Sequence, residues 1–310
     1  MMLTIAAFFF LASNMVPNMP SSPHHTQHHE TISAKQTAFH DMEYARVGDK
    51  SLRLDLLIPN GQGPHPLIVW IHGGGWMKGD KKMRPDHPAL RQVDRGYAVA
   101  SVNYRFSQEA IFPAQIHDCK AAIRWLRSNA EKYRLDPDRI AAWGPSAGGH
   151  LAALLGTTAG NRELEDISMG NAGISSRVQA VVDWFGPTDF LKMGGTHNEP
   201  LSPESLLLGC PIESCPERVA KANPINYVTR FTPPFLIQHG TADRKVPVNQ
   251  SELLSKALID AGVQVTYLPL EGVGHSLKRL QEKENLLVVE KFLDRTIGAE
   301  RSIPSGDTVL

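Results

Sequence analysis

Gly144-Pro145-Ser146-Ala147-Gly148 sets a serine among glycines, after the apolar run 139–143 and before the small, apolar stretch 148–157. A strand followed by a tight turn and a helix lifts a serine Oγ clear of a sheet edge, and the turn is crowded enough to need glycine. The same turn leaves the Ala147 N–H at a helix N-terminus, where donors face developing negative charge. Pro145 at the variable position holds Gly144 extended, which a strand end accepts. Upstream, His72-Gly73-Gly74-Gly75-Trp76 follows the apolar run 66–71. Glycines there let backbone N–H groups approach a carbonyl oxygen, so Gly74, Gly75 and Ala147 are the candidate oxyanion donors; which two of residues 73–75 serve stays open. A phosphate cradle is excluded, because no Gly-Lys-Ser/Thr follows.

A serine needs a base, and the base needs an orienting acid. Past residue 230 the only histidines are His239 and His275. His275 lies in a glycine-rich loop after the strand-like run 263–268 and is the candidate base. His239 ends another strand-like run and reads as a structural residue that ties its loop. Asp243, in the loop beyond that run, is the candidate acid; Asp260 and Glu271 are weaker alternatives. Asp118 and Asp189 read as structural. Trp76 and Trp184, with Phe185, are candidate lining of a substrate pocket. The chemistry is acyl transfer to Ser146 and hydrolysis of the acyl-enzyme, and it calls for no cofactor and no metal.

Elements must bring these residues together. Residues 52–58, 66–72, 97–103, 139–143, 178–185, 234–239 and 263–268 read as strands, several of them continuous apolar runs suited to burial on both faces. They alternate with helical patterns over 114–133, 148–157, 250–262 and 278–296. Such alternation predicts an α/β fold with a mostly parallel sheet covered on both faces. Residues 187–227 break the rhythm with six prolines and read as a lid-like excursion over the site.

The chain has 310 residues, 42% of them apolar and 21% charged, with Lys+Arg and Asp+Glu both at 32. That suits a globular domain over 39–300 and gives no basic footprint for nucleic acid. Residues 1–38 read as a signal-like segment and polar leader, and 301–310 as a tail. The apolar run 3–12 is too short to span a bilayer and predicts export, with the cytoplasm as the alternative. His24, His25, His28 and His29 read as a polar tract rather than a metal site. Cys210 and Cys215 are expected to pair in an oxidising compartment, and Cys119 to be a buried, inert thiol. Oligomeric state is not legible.

His72-Gly-Gly-Gly-Trp76, Phe112-Pro-Ala-Gln-Ile-His-Asp118, Gly144-Pro-Ser-Ala-Gly-Gly-His150-Leu-Ala152 and Gln238-His-Gly-Thr-Ala-Asp243 with Val246-Pro247 occur in this order. Together they resemble the esterase/lipase α/β-hydrolases near the hormone-sensitive-lipase-like group, and within it the bacterial feruloyl- and acetylxylan-esterase-like enzymes. The similarity runs from about residue 42 to 296. It implies an α/β-hydrolase fold with an eight-stranded, mostly parallel sheet, and a triad at Ser146, Asp243 and His275. It further implies a short-acyl or hydroxycinnamoyl ester as substrate, free or linked to a polysaccharide. The alternatives are an amide hydrolase with the same triad, such as a peptidase or an arylformamidase-like enzyme, and a non-catalytic binding module on this scaffold.

Overall fold

In the computed structural model of the chain, residues 29–32 and 36–298 are described. The strands are β1 (His29–Ile32), β2 (Gln36–Val47), β3 (Lys50–Pro59), β4 (His65–Ile71), β5 (Ala98–Val102), β6 (Leu135–Pro145), β7 (Ala180–Trp184), β8 (Phe235–Gly240) and β9 (Val265–Leu270). The α-helices are α1 (Ala114–Ser128), α2 (Ala147–Thr157), α3 (Pro203–Leu208), α4 (Pro216–Ala222), α5 (Asn249–Asp260), α6 (Leu277–Leu280) and α7 (Lys283–Thr296). The strands form one sheet in the order β1-β2-β3-β5-β4-β6-β7-β8-β9. From β5 to β9 every pairing is parallel, whereas β1, β2, β3 and β5 pair antiparallel.

Period-two geometry turns the apolar central strands into two cores. Leu67, Val69 and Ile71 of β4 face one way and pack with α1, α2 and α5 residues such as Ile116, Leu151 and Leu254. Ile68 and Trp70 face the other way and pack with Leu286, Val289, Phe292 and Leu293 of α7. A strand buried on both faces has no use for alternating polarity, which is why β4 and β6 read as continuous runs. Among the described helices none is long and apolar enough to cross a membrane.

Two boundaries differ from the sequence reading. The sheet has nine described strands rather than eight, because β1 adds an edge strand. The leader read as 1–38 also gives up β1 and the start of β2 to the sheet. β2 was hidden by its own irregularity: its register against β3 shifts between Phe39 and Met42 and again between Glu43 and Ala45, which scrambles the alternation. The apolar run 3–12, residues 24–28 of the histidine tract and the tail 301–310 lie outside the described residues.

In the excursion 187–227 the chain forms α3, α4 and short 3₁₀ turns, and no strand is described there. Ser202 caps α3, its Oγ accepting from the Ser205 N–H at 3.1 Å, and Pro203 opens the helix. Cys210 and Cys215 are joined by a disulfide between α3 and α4, and Cys119 is a buried free thiol.

Candidate active site

The chain crosses from β5 past β4 to β6, so the loops that follow β4 and β6 leave the same carboxyl edge side by side. That is where open α/β sheets hold ligands. Ser146 sits between β6 and α2 at φ 54° and ψ −123°, a conformation that costs a non-glycine residue on the order of 1–3 kcal/mol. Hydrogen bonds hold it there. The Ser146 N–H donates to the Trp184 carbonyl at 2.8 Å, and its own carbonyl accepts from the His150 N–H at 3.0 Å. The neighbouring backbones are in close contact: a Cβ at Gly148 would stand 2.0 Å from the Ile71 carbonyl oxygen.

The glycine loop after β4 faces the elbow. Gly74 has φ 112°, and a Cβ there would meet the Lys78 carbonyl oxygen at 2.0 Å. Its carbonyl accepts from the N–H groups of Met77 and Lys78, closing a tight turn. No acceptor among the described residues is recorded for the N–H groups of Gly73, Gly74, Gly75 and Ala147. Unpaired N–H groups at a helix start and on a glycine loop that line one cavity with a serine can stabilise a developing oxyanion.

Asp243 and His275 meet across the loops that follow β8 and β9. His275 Nδ1 lies 2.7 Å from Asp243 Oδ2, while Oδ1 accepts from the N–H groups of Lys245 at 2.8 Å and Val246 at 3.0 Å. Burial pushes the Asp243 carboxyl up. The hydrogen bonds from His239, His275 and the Val246 N–H outweigh burial and hold it well below the usual carboxylate range. An ionised Asp243 makes Nδ1 the donor, so Nε2 of His275 keeps its lone pair for a proton. The His275 ring packs on Phe185, with centroids 4.4 Å apart. His239 has the structural role expected of it: Nδ1 lies 2.7 Å from Ser251 Oγ, Nε2 2.9 Å from the Val246 carbonyl and 3.3 Å from Asp243 Oδ2.

Ser146, His275, Ala147 and the three glycines line one cavity of about 660 Å³. Trp76 lines it too, fully buried at φ 56°. Its Nε1–H donates to His150 Nδ1 at 3.2 Å, which leaves His150 Nε2–H to donate to the Ala222 carbonyl at 2.7 Å. Burial lowers His150 to about 4, so this bridge is neutral. Trp184 does not line the cavity, and its reading as a substrate contact is corrected. Its ring lies inside the α7-side core, 5.0 Å from Trp143 and 6.0 Å from Trp70, with Nε1–H bonded to Gln238 Oε1. The φ of 46° at Phe185 turns the chain at this strand end, and Phe185 reaches the cavity in its place.

The weaker acids fall elsewhere. Asp260 pairs with Lys256 on the surface, and Glu271 is exposed. Asp118 is fully buried and grips the Arg105 guanidinium, while Asp189 pairs with Asn223 and Lys192. The excursion supplies cavity residues that the sequence reading missed, among them His197 and Glu204. Their Nδ1 and Oε2 lie 3.1 Å apart. No signal in a proline-rich, aperiodic segment distinguishes them.

The BD-FAE family profile matches residues 54–258, which hold the glycine loop, the serine elbow and Asp243. The chain belongs to the BD-FAE family. Its fold is that of the α/β-hydrolases, and the relatives and structural neighbours it matches are named as esterases. Esterase LipQ of Mycobacterium tuberculosis is 32% identical over 280 residues, covering 88% of this chain and 64% of that one. A truncated carbohydrate esterase from gut microbiota superposes with a TM-score of 0.76 at 36% identity, over 84% of this chain and 96% of that structure. An acetyl ester-xyloside bifunctional hydrolase from Caldicellulosiruptor lactoaceticus gives 0.68 at 28% identity, over 80% and 89%. The chain spans 54–64% of the length of the mycobacterial relatives LipQ, LipC and LipM.

Proposed function

We propose that this chain is a serine carboxylic-ester hydrolase acting on short acyl or hydroxycinnamoyl esters, including those carried by polysaccharides. The observation that carries the reading is the convergence of Ser146, the Asp243–His275 pair and unpaired loop N–H groups on one cavity. Ser146 Oγ attacks the ester carbonyl as His275 Nε2 takes its proton, and Asp243 stabilises the imidazolium. The oxyanion accepts hydrogen bonds from Ala147 and from the Gly74 and Gly75 N–H groups. His275 then protonates the leaving alcohol, and water hydrolyses the acyl-enzyme with His275 again as base. The neighbours that act on carbohydrate esters support a polysaccharide-linked ester. The Cys210–Cys215 disulfide supports an exported protein, since such a bond persists in oxidising compartments.

Ser146→Ala is expected to abolish turnover of p-nitrophenyl acetate while leaving the circular dichroism spectrum unchanged. Turnover at the wild-type rate sinks the assignment. A panel of p-nitrophenyl esters of increasing chain length, methyl ferulate and acetylated xylan tests the substrate class, and a preference for long acyl chains overturns it.

A further inference from the structure

His275 must reach the leaving oxygen to protonate it, so the alcohol half of the ester lies on the His275 side of the cavity, where the loop that follows β9 meets the loop that follows β8. Arg244 and Lys245 stand on that loop and line the cavity, and Lys78 lines it from the glycine loop. All three are exposed, and none takes part in an ion pair among the described residues. The one carboxylate lining the cavity is Glu204, and it is already paired with His197. The Glu204 carboxylate raises the His197 pKa against the opposing effect of burial, and a bond to the Lys245 backbone adds to it, so the three cations outnumber the one lining carboxylate. The chain as a whole has equal numbers of acidic and basic residues. A positive excess at the catalytic mouth is therefore local, and a cleft with low-dielectric walls focuses such a field.

We propose that Arg244 and Lys245, with Lys78 opposite, select esters whose alcohol half carries a carboxylate, such as an acylated oligosaccharide bearing a uronic acid. The inference rests on the ester-hydrolase reading above and narrows its substrate. The Arg244 guanidinium offers a planar fork that matches a carboxylate with two parallel hydrogen bonds, whereas the lysines act as point charges. Glu204 is buried beside His197, whereas Arg244, Lys245 and Lys78 are exposed.

The test compares acetylated xylo-oligosaccharides with and without a glucuronic acid branch, at low and physiological ionic strength, for wild type, Arg244→Gln and Lys78→Gln. The readout is the ratio of kcat/KM for acidic over neutral substrate, so a general loss of activity in a variant cancels. The ratio is expected near tenfold or more at about 0.01 M salt, where fields extend about 30 Å. It should shrink at about 0.15 M, and shrink in both variants at low salt. A ratio near one at both salt concentrations, or a ratio that neither variant lowers, overturns the inference while leaving ester hydrolysis standing. Absence of turnover on every ester, p-nitrophenyl acetate included, overturns the hydrolase reading and this inference with it. Binding of both oligosaccharides to Ser146→Ala gives a second readout: tighter binding of the acidic one supports the selection, and equal binding refutes it.

Discussion

Asp183 is a fully buried carboxylate beside the serine elbow that the proposed chemistry does not use. Its Oδ1 accepts from the Gly186 N–H at 2.9 Å, and Oδ2 has no hydrogen-bond partner among the described residues. Burial is the largest influence on it and raises its pKa to about 6, against the opposing pull of the Gly186 N–H and His239. A raised carboxyl pKa means the folded state holds the proton more tightly than the unfolded chain does. The stability it contributes is complete below the usual Asp range near 4 and disappears as pH rises through about 6. Asp183→Asn keeps the acceptor for Gly186 and cannot ionise. Urea unfolding from pH 4 to 7 should show the difference between variant and wild type moving in the variant's favour by on the order of 3 kcal/mol. A difference that does not change with pH would refute this account of Asp183. Asp243 has the opposite sign: it stabilises the fold above the usual carboxylate range and loses that contribution only as pH falls well below it. The two acids differ in their partners. Asp243 gathers two imidazoles and two N–H groups, and Asp183 gathers one N–H.

At the scale of elements, the parts legible in the sequence were those whose pattern follows one rule throughout. Central parallel strands appear as unbroken apolar runs, and a strand–glycine–helix sequence announces the elbow. Where two rules compete the reading failed. β2 bends twice at bulges, and Trp184 ends a strand as Trp76 ends a loop, so residue type could not distinguish a core ring from a cavity wall. The excursion obeys no period, and His197 and Glu204 were invisible inside it. Its order depends instead on caps and on the Cys210–Cys215 bond, which spans a sequence separation of 5. Loop-closure entropy for so short a ring comes to roughly 2 kcal/mol. Replacing both cysteines by serine should lower unfolding stability by about that amount. Because α3 supplies Pro203 and Glu204 to the cavity, KM should also rise while kcat changes little. An unchanged unfolding midpoint together with an unchanged KM would show that the bond restrains nothing.

For the whole molecule, two cores share one sheet and serve different ends. The side that holds α1, α2 and α5 supports the elbow and, through His150, the Trp76 ring at the cavity. The α7 side is closed by an edge-to-face stack of Trp70, Trp143 and Trp184. Trp184 belongs to stability rather than to substrate contact, and the two roles separate in one variant. Trp184→Phe keeps an aromatic ring but removes the donor to Gln238 Oε1, leaving a buried acceptor unpaired at a cost of about 1–3 kcal/mol. The smaller ring adds a cavity penalty of similar size. The expected result is a fall of roughly 2–4 kcal/mol in unfolding free energy with KM for p-nitrophenyl acetate unchanged. A raised KM at undiminished stability would return Trp184 to the substrate pocket. The backbone beside it makes the measurement sharper, since the Trp184 carbonyl accepts the Ser146 N–H. If repacking moved that carbonyl, kcat would fall, because the serine would lose the bond that holds its strained conformation. Stability, KM and kcat therefore report on three separable features of the same residue: its ring, its distance from the cavity and its backbone.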